Sequence, residues 1–272
     1  MLGAIIGDIV GSRYEFNNIS HKDFEFFHPT STFTDDTVLT AATADVLVNG
    51  GDYLKKYQSA YFDNPNRGWG GHFLKLASSG NLKPYGSYGN GSAMRVSPVG
   101  WAFDDIRSIL REARATAEVT HDHPEGIKGA QAIAAAIFFA RHGATKADIL
   151  DEVSQMGYDL ISLSDWTREF NETCQGTIPL CMAIFNESDS YEDCIRTAIA
   201  AGGDCDTTAC IAGGIAEAFY GKPSDEMIEK AYQVLPTDMG RKVTAFVQKY
   251  VYKDFLAPDA NMTDEQKLQD AF

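Results

Sequence analysis

The sequence predicts an all-α protein, a compact single-domain orthogonal bundle with its site where several helix N-termini meet. Two patterns predict the bundle. Apolar residues recur at helical spacing in about ten stretches, and almost no stretch alternates apolar and polar residues as a half-buried strand does. The 272 residues carry no internal repeat and no low-complexity linker, and that length suits one large core. The domain is taken as residues 1–258, followed by a polar tail at 259–272 that includes Asp259, Glu265 and Asp270.

In order, residues 2–10 read as a buried helix with Gly3, Gly7 and Gly11 in one row. Small residues at that spacing let a second helix approach closely. Asp8 is a buried hydrogen-bond hub or a support for a nearby site, with the hub preferred. Glu15 follows in a loop rich in Asn and aromatic residues, where a lone Glu is ordinarily a solvated side chain. Residues 17–33 are polar and aromatic with room for a short strand-like turn, and His21 and His28 read as surface residues.

Thr34-Asp35-Asp36-Thr37 heads a second helix whose inner face carries Leu39, Ala42 and Val46. Asn49-Gly50-Gly51-Asp52 ends it, and residues 53–62 form a further helix. The loop at 64–72 is Gly-rich, and Gly71 within it could admit a phosphate close to the backbone. Residues 84–95 are too Gly-rich for a helix. That segment is either a loop whose N–H groups face an anion or a tight connection. An amphipathic helix spans 104–118 with Ile106, Leu110, Ala113 and Ala117 in one row, and ends near His121-Asp122-His123-Pro124. The His-x-His pair lacks the surrounding cysteines of a zinc site. Residues 126–141 are nearly all apolar and belong at the centre.

The last motif is Gly202-Gly203-Asp204-Cys205-Asp206-Thr207-Thr208, at the head of a buried helix that contains Ile211 and Ile215. One Asp at such a start is an ordinary cap. Asp204 with Asp206 is either a cap plus a hydrated acid or a pair of hard ligands for Mg²⁺ or Ca²⁺. If this helix start faces the one at 34–37, four carboxylates converge, and like charges at short range cannot all stay ionised without a cation.

Composition sets the class. A net charge of −15 with 44% hydrophobic residues excludes disorder and argues against non-specific nucleic-acid binding. The five cysteines, at 174, 181, 194, 205 and 210, are odd in number and form no C-x-x-C pair. A reduced, cytoplasmic chain is the plain reading, and a monomer is expected. The longest strongly apolar run, 132–140, is too short to cross a bilayer, and residues 1–6 lack the basic leader of a signal peptide.

Thr34-Asp35-Asp36-Thr37 and Gly203-Asp204-x-Asp206-Thr207 resemble the paired metal motifs of the ADP-ribosylglycohydrolase family. Gly7-Asp8-Ile9-Val10-Gly11 with Glu15, Gly89-Asn90-Gly91-Ser92-Ala93-Met94-Arg95, and Thr120-His121 match in the family's order. The resemblance runs from about residue 3 to about residue 221. It implies two Mg²⁺ ions, with Mn²⁺ as a substitute, held by Thr34, Asp35, Asp36, Asp204, Asp206 and Thr207. It also implies catalysis by Glu15 and Asp35, and substrate contacts at Gly71, Gly86, Ser87, Tyr88, Asn90, His121 and Gly203. The implied reaction is hydrolysis of the bond between ADP-ribose and a modified protein side chain, nucleobase or small molecule. His123 is expected to be structural, and Arg95 to fix its loop internally. Cys205 departs from the family's usual Ser or Thr between the two acids and reads as a packing residue.

Two other readings compete. Asp204-x-Asp206-x-Thr208 also resembles the loop of haloacid-dehalogenase-like Mg²⁺ phosphohydrolases, where it follows a β-strand near the start of the chain. Residues 195–201 are more helix-like than strand-like. A non-catalytic ADP-ribose-binding relative is the other, although all the motif acids and Glu15 are present.

Overall fold

Helices joined by loops make up the fold, and among the described residues the only β pairing is one isolated antiparallel bridge between Gly89 and Thr173. The computed structural model describes residues 1–79 and 83–258, so the polar tail expected at 259–272 lies outside the described residues. The first helices are α1 (Leu2–Gly11), α2 (Asp35–Asn49), α3 (Tyr53–Asp63), α4 (Gly71–Ser79) and α5 (Gly91–Met94). Next come α6 (Ser97–Ala102), α7 (Ile106–Glu118), α8 (Pro124–Arg141), α9 (Lys146–Gln155) and α10 (Cys174–Glu187). The last are α11 (Tyr191–Ala201), α12 (Cys205–Tyr220), α13 (Asp225–Val234) and α14 (Thr237–Phe246).

The glycine row of α1 lies directly against α12. A Cβ on Gly7 would stand 2.1 Å from the Ala209 carbonyl oxygen, and one on Gly11 would stand 2.4 Å from Asp206 Cα. Only hydrogen fits there, so the row brings the two backbones together. Every residue of α1 is buried, as is α12 from Cys205 to Ala218. Helix α8 packs against α12 and also meets α5, α6, α7, α9 and α10, which makes it the second central element. Both α8 and α12 carry long runs of small and apolar residues.

Three local expectations are corrected. The buried stripe of α7 is Ile109, Ala113, Thr116 and Ala117, while Ile106 and Leu110 are only half-buried. Thr116 enters the stripe because its hydroxyl donates to the Ala113 carbonyl at 2.8 Å, which apolar spacing alone does not register. Gly91–Met94 is a helical turn rather than loop. Ser92 Oγ donates to the Gly126 carbonyl at 2.7 Å, and this tertiary contact offsets the low propensity of the glycine. Residues 17–33 contain no strand. Arg196 ties that segment down instead, donating to the carbonyls of Lys22 and Phe24 at 2.9 Å each.

The phosphohydrolase reading fails at this level. Helix α11, not a strand, leads to Gly202, and the acids head a helix within an all-helical fold. No helix among the described residues is long and apolar enough to cross a membrane.

Candidate active site

The N-termini of α2 and α12 open into one cleft, lined by Asp35, Asp36, Asp204, Asp206, Thr207 and Glu15 among others. Helix α2 is N-capped by Thr34, whose oxygen accepts from the Asp36 amide at 3.4 Å. Asp8 welds α1 to this turn. Its carboxylate accepts from the Thr34 amide at 3.0 Å, the Thr34 hydroxyl at 2.7 Å and the Thr37 amide at 3.1 Å. The hub expected at Asp8 is therefore present.

The floor of the cleft is acidic and buried. Asp36 is 2% exposed, Asp206 4% and Asp204 6%. Burial lifts the carboxyls of Asp36 and Asp206 well above the usual range, and neighbouring carboxylates push the same way. Asp204 is raised to about 6 by burial, restrained by the Asn90 amide that donates to it at 2.6 Å. Glu15, more open, is raised to about 7 by burial and then by Asp204 and Glu172.

Orphaned oxygens show what the floor can hold. Asp36 Oδ1 and Asp206 Oδ1 are buried without a hydrogen-bond partner, as are the hydroxyls of Thr37 and Thr208. Asp8, Asp36 and Asp206 each offer an oxygen within 4.8 Å of one another, and Glu15, Asp204 and Asp206 do the same. Thr207 Oγ1 lies 3.3 Å from Asp36 Oδ2, joining the two helix starts. Buried carboxylate oxygens with nothing to satisfy them fit a hard divalent cation.

The walls are built from loops. The Asp35 amide donates to the Arg67 carbonyl at 2.7 Å, which draws the glycine loop across the cleft, so that Gly68, Gly70 and Gly71 line it. On the facing wall stand Ser87, Gly89, Asn90, Gly91 and His121. Arg95, fully buried, donates to the Thr116 carbonyl and to Thr120 Oγ1, both at 2.7 Å. These bonds fix the end of α7, where the sequence suggested a role inside the residue's own loop. Thr120 Oγ1, which accepts from Arg95, also shares a hydrogen bond with His121 Nδ1 at 2.7 Å. Burial, with Arg95 beside it, holds His121 well below the usual imidazole range, so the ring is neutral. Its Nε2 faces Gly89 and Gly91.

Three residues expected at the substrate do not line this cleft. Tyr88 is 48% exposed and packs edge-on against His123, 5.2 Å between centroids. The Gly86 amide donates to the Asp122 carboxylate at 2.6 Å, and the Gly203 amide to Asn18 Oδ1 at the same distance. His123 caps α8 by accepting from the Glu125 amide at 3.1 Å, the structural role expected of it.

Two residues at the site escape sequence reasoning. Asn18 donates to the carbonyls of Tyr14, Glu15 and Gly203, at 2.7, 3.0 and 3.0 Å, and so straps the Glu15 loop to the second acidic motif. Glu172, one residue before the Thr173 cap of α10, brings a further carboxylate to the cleft. An Asn in a polar loop and a Glu ahead of a helix carry no local signal, and only the chain's long-range path brings them here.

An all-helical bundle whose two acidic helix starts meet in one cleft defines the class. The chain belongs to the ADP-ribosylglycohydrolase family, whose model matches residues 1–230. It is thus an enzyme, an ADP-ribosyl glycohydrolase. Among particular relatives, it is 25% identical to the ADP-ribosylhydrolase ARH3 of Mus musculus, over 86% of this chain and 85% of that protein. It is 26% identical to the ADP-ribosylarginine hydrolase Tri1 of Pseudomonas putida, over 81% of this chain and 69% of that one. A solved structure described as an ADP-ribosylglycohydrolase-related protein complex shares the fold, with a TM-score of 0.70 and 23% identity over 93% of this chain and 96% of that chain.

Proposed function

We propose that the cleft hydrolyses the glycosidic bond between ADP-ribose and a modified acceptor, reversing ADP-ribosylation. The observation that carries this reading is the set of partnerless, buried oxygens on Asp36 and Asp206, with a carboxylate oxygen of the half-exposed Glu15 within 4.8 Å of ones on Asp204 and Asp206. Thr34, Asp35, Asp36, Asp204, Asp206 and Thr207 would hold two Mg²⁺ ions, with Mn²⁺ as a substitute. Bound there, such ions supply Lewis acidity and lower the pKa of water.

The chain's own groups do the rest. Glu15, poised at about 7, accepts a proton from the attacking water. Asp35, at the mouth of the first motif, orients the ribose. The Ser87 hydroxyl donates to the diphosphate or ribose, His121 Nε2 and the Asn90 side-chain oxygen contact the ribose, and Gly71 lets the backbone come near. As the bond to the acceptor breaks, positive charge builds on the anomeric carbon, and the oxygen of water closes on it. The protein is taken to act as a cytoplasmic monomer, and the five free, buried cysteines fit a reducing compartment.

The test is release of free ADP-ribose from a panel of defined ADP-ribosylated substrates, with Mg²⁺ and with excess chelator. Release in Mg²⁺ and none in chelator is expected. Full activity in chelator overturns the metal assignment, and no release from any substrate overturns the reaction.

A further inference from the structure

Nothing aims the Glu15 carboxyl directly. It has no hydrogen bond or ion pair among the described residues. Oxygens of Asp204 and Asp206 lie within 4.8 Å of one of its own, and like charges at that range push it off the cleft floor. Its place therefore depends on the backbone of its loop, which is exposed from Phe16 to Asn18.

Two side chains pin that loop, and both pin it to the same segment. Asn18 meets Gly203 through both ends of its amide, Nδ2 donating to the Gly203 carbonyl at 3.0 Å and Oδ1 accepting from the Gly203 amide at 2.6 Å. The same Nδ2 donates back to the Tyr14 and Glu15 carbonyls at 2.7 and 3.0 Å. One side chain thus ties the backbone of Glu15 to the residue before Asp204. Arg168 makes the second tie, with one arm of its fork donating to the Ile19 carbonyl at 2.8 Å and the other to that of Ala200. Its backbone sits at φ 63°, the only positive φ outside glycine among the described residues. An L-residue is disfavoured there and persists only where its surroundings hold it. The two side chains converge on Gly202, itself at φ 71°. A Cβ there would stand 2.7 Å from Arg168 Nη2 and 2.9 Å from Asn18 Oδ1, so the bare α-carbon is what admits both.

We infer that Asn18 and Arg168 are positioning residues for the hydrolysis. Together they clamp the Glu15 loop to residues 200–203 and hold its carboxyl at the cleft against the repulsion of Asp204 and Asp206. The inference rests on the reading above in which Glu15 accepts the proton of the attacking water. Neither side chain lines the cleft, so each acts through Glu15 and not on substrate.

The test measures single-turnover ADP-ribose release on the best substrate of the panel above, in wild-type and Glu15→Gln backgrounds. Asn18→Ala should slow wild type by roughly 10–100-fold, the cost of displacing a catalytic group by about 1 Å. The Kd for ADP-ribose should stay within about 3-fold, which also shows that the variant is folded. In Glu15→Gln the same substitution should change the rate by less than about 2-fold, because nothing is left to position. Asn18→Asp keeps an acceptor for Gly203 but turns an oxygen to the Tyr14 and Glu15 carbonyls, so it should be at least as slow as Asn18→Ala. Arg168→Ala should act in the same direction more weakly, and Arg168→Lys, able to keep one of the two bonds, should recover part of the rate. Equal losses in both backgrounds would mean that the clamp serves the fold or the floor acids. That result, a wild-type rate in Asn18→Asp, or lost ADP-ribose binding in Asn18→Ala overturns the positioning role alone, and a wild-type rate in Arg168→Ala removes Arg168 from it. Unchanged turnover in Glu15→Gln overturns the proton role of Glu15, and no release by wild type from any substrate overturns the proposed function, each taking this inference with it.

Discussion

Asn at position 206 should move the stability of this protein in opposite directions without and with Mg²⁺. Asp206 is 4% exposed and lies among carboxylates whose oxygens come within 4.8 Å of one another. Two unit charges at that separation repel by about 3.5 kcal/mol at an effective dielectric near 20. The protein can escape by protonating one carboxyl, which costs about 4 kcal/mol at neutral pH for a group of ordinary pKa. The relief from a neutral, isosteric amide is therefore bounded near those values. Allowing for its imperfect hydrogen bonding, the metal-free variant should gain roughly 1–3 kcal/mol, or about 2–5 °C in Tm for a chain of this size.

With Mg²⁺ at about 100 times its Kd, wild type gains ~2.7 kcal/mol by mass action, and the variant should lose most of that gain. Thermal melts in chelator and in saturating Mg²⁺ read both signs. A variant that melts below wild type in chelator, or that keeps the full Mg²⁺ shift, refutes the reasoning. Titration of the metal-free protein points the same way. Asp204 rises on folding from 3.8 to about 6, chiefly by burial. A carboxyl raised in this way gives stability that is full below its unfolded pKa and is lost as pH climbs through the folded one. The cluster's contribution in metal-free wild type should therefore decline from about pH 4 upward, and Mg²⁺ should flatten the decline.

Other substitutions probe separate parts. Glu15→Gln should preserve the fold and the affinity for ADP-ribose but slow hydrolysis roughly 10²–10⁴-fold in single turnovers, and unchanged turnover would pass the base role to Asp35. Cys205→Ser should keep most activity, because the buried thiol is pushed upward by burial and by Asp206 and Asp204 and is no nucleophile. A loss of several orders of magnitude with metal still bound would contradict that. Gly7→Ala would drive a methyl to 2.1 Å from the Ala209 carbonyl oxygen. It should cost about 1–3 kcal/mol or more by overpacking, and an unchanged melting temperature would mean that α1 shifts freely on α12.

The helices and the acids at their heads were legible in the sequence because caps and apolar spacing are local signals. Thr34 and Asp204 sit at the N-caps of α2 and α12, and the glycine row of α1 marks a close partner before that partner is known. Helix packing of α5 and the exact stripe of α7 were less legible, since each depends on a hydrogen bond that spacing does not encode. The site's strap and its spare acid were not legible at all. Asn18 reaches Gly203 across 185 residues, and Glu172 is placed by a backbone contact with Asn90. Tyr88 shows the converse, since its motif position suggests substrate while the fold turns its ring to His123.

Asp204 occupies the N-cap of α12 yet makes no cap hydrogen bond to its own helix. Its carboxylate accepts from Asn90 instead and opens onto the cleft. A cap of that kind ordinarily contributes about 1 kcal/mol, so the protein leaves local stability unused to keep that carboxylate turned to the cleft. A screen for heat resistance would therefore mislead at this position. A residue that turned back to cap α12 would score as an improvement there and would arrive with its chemistry already lost.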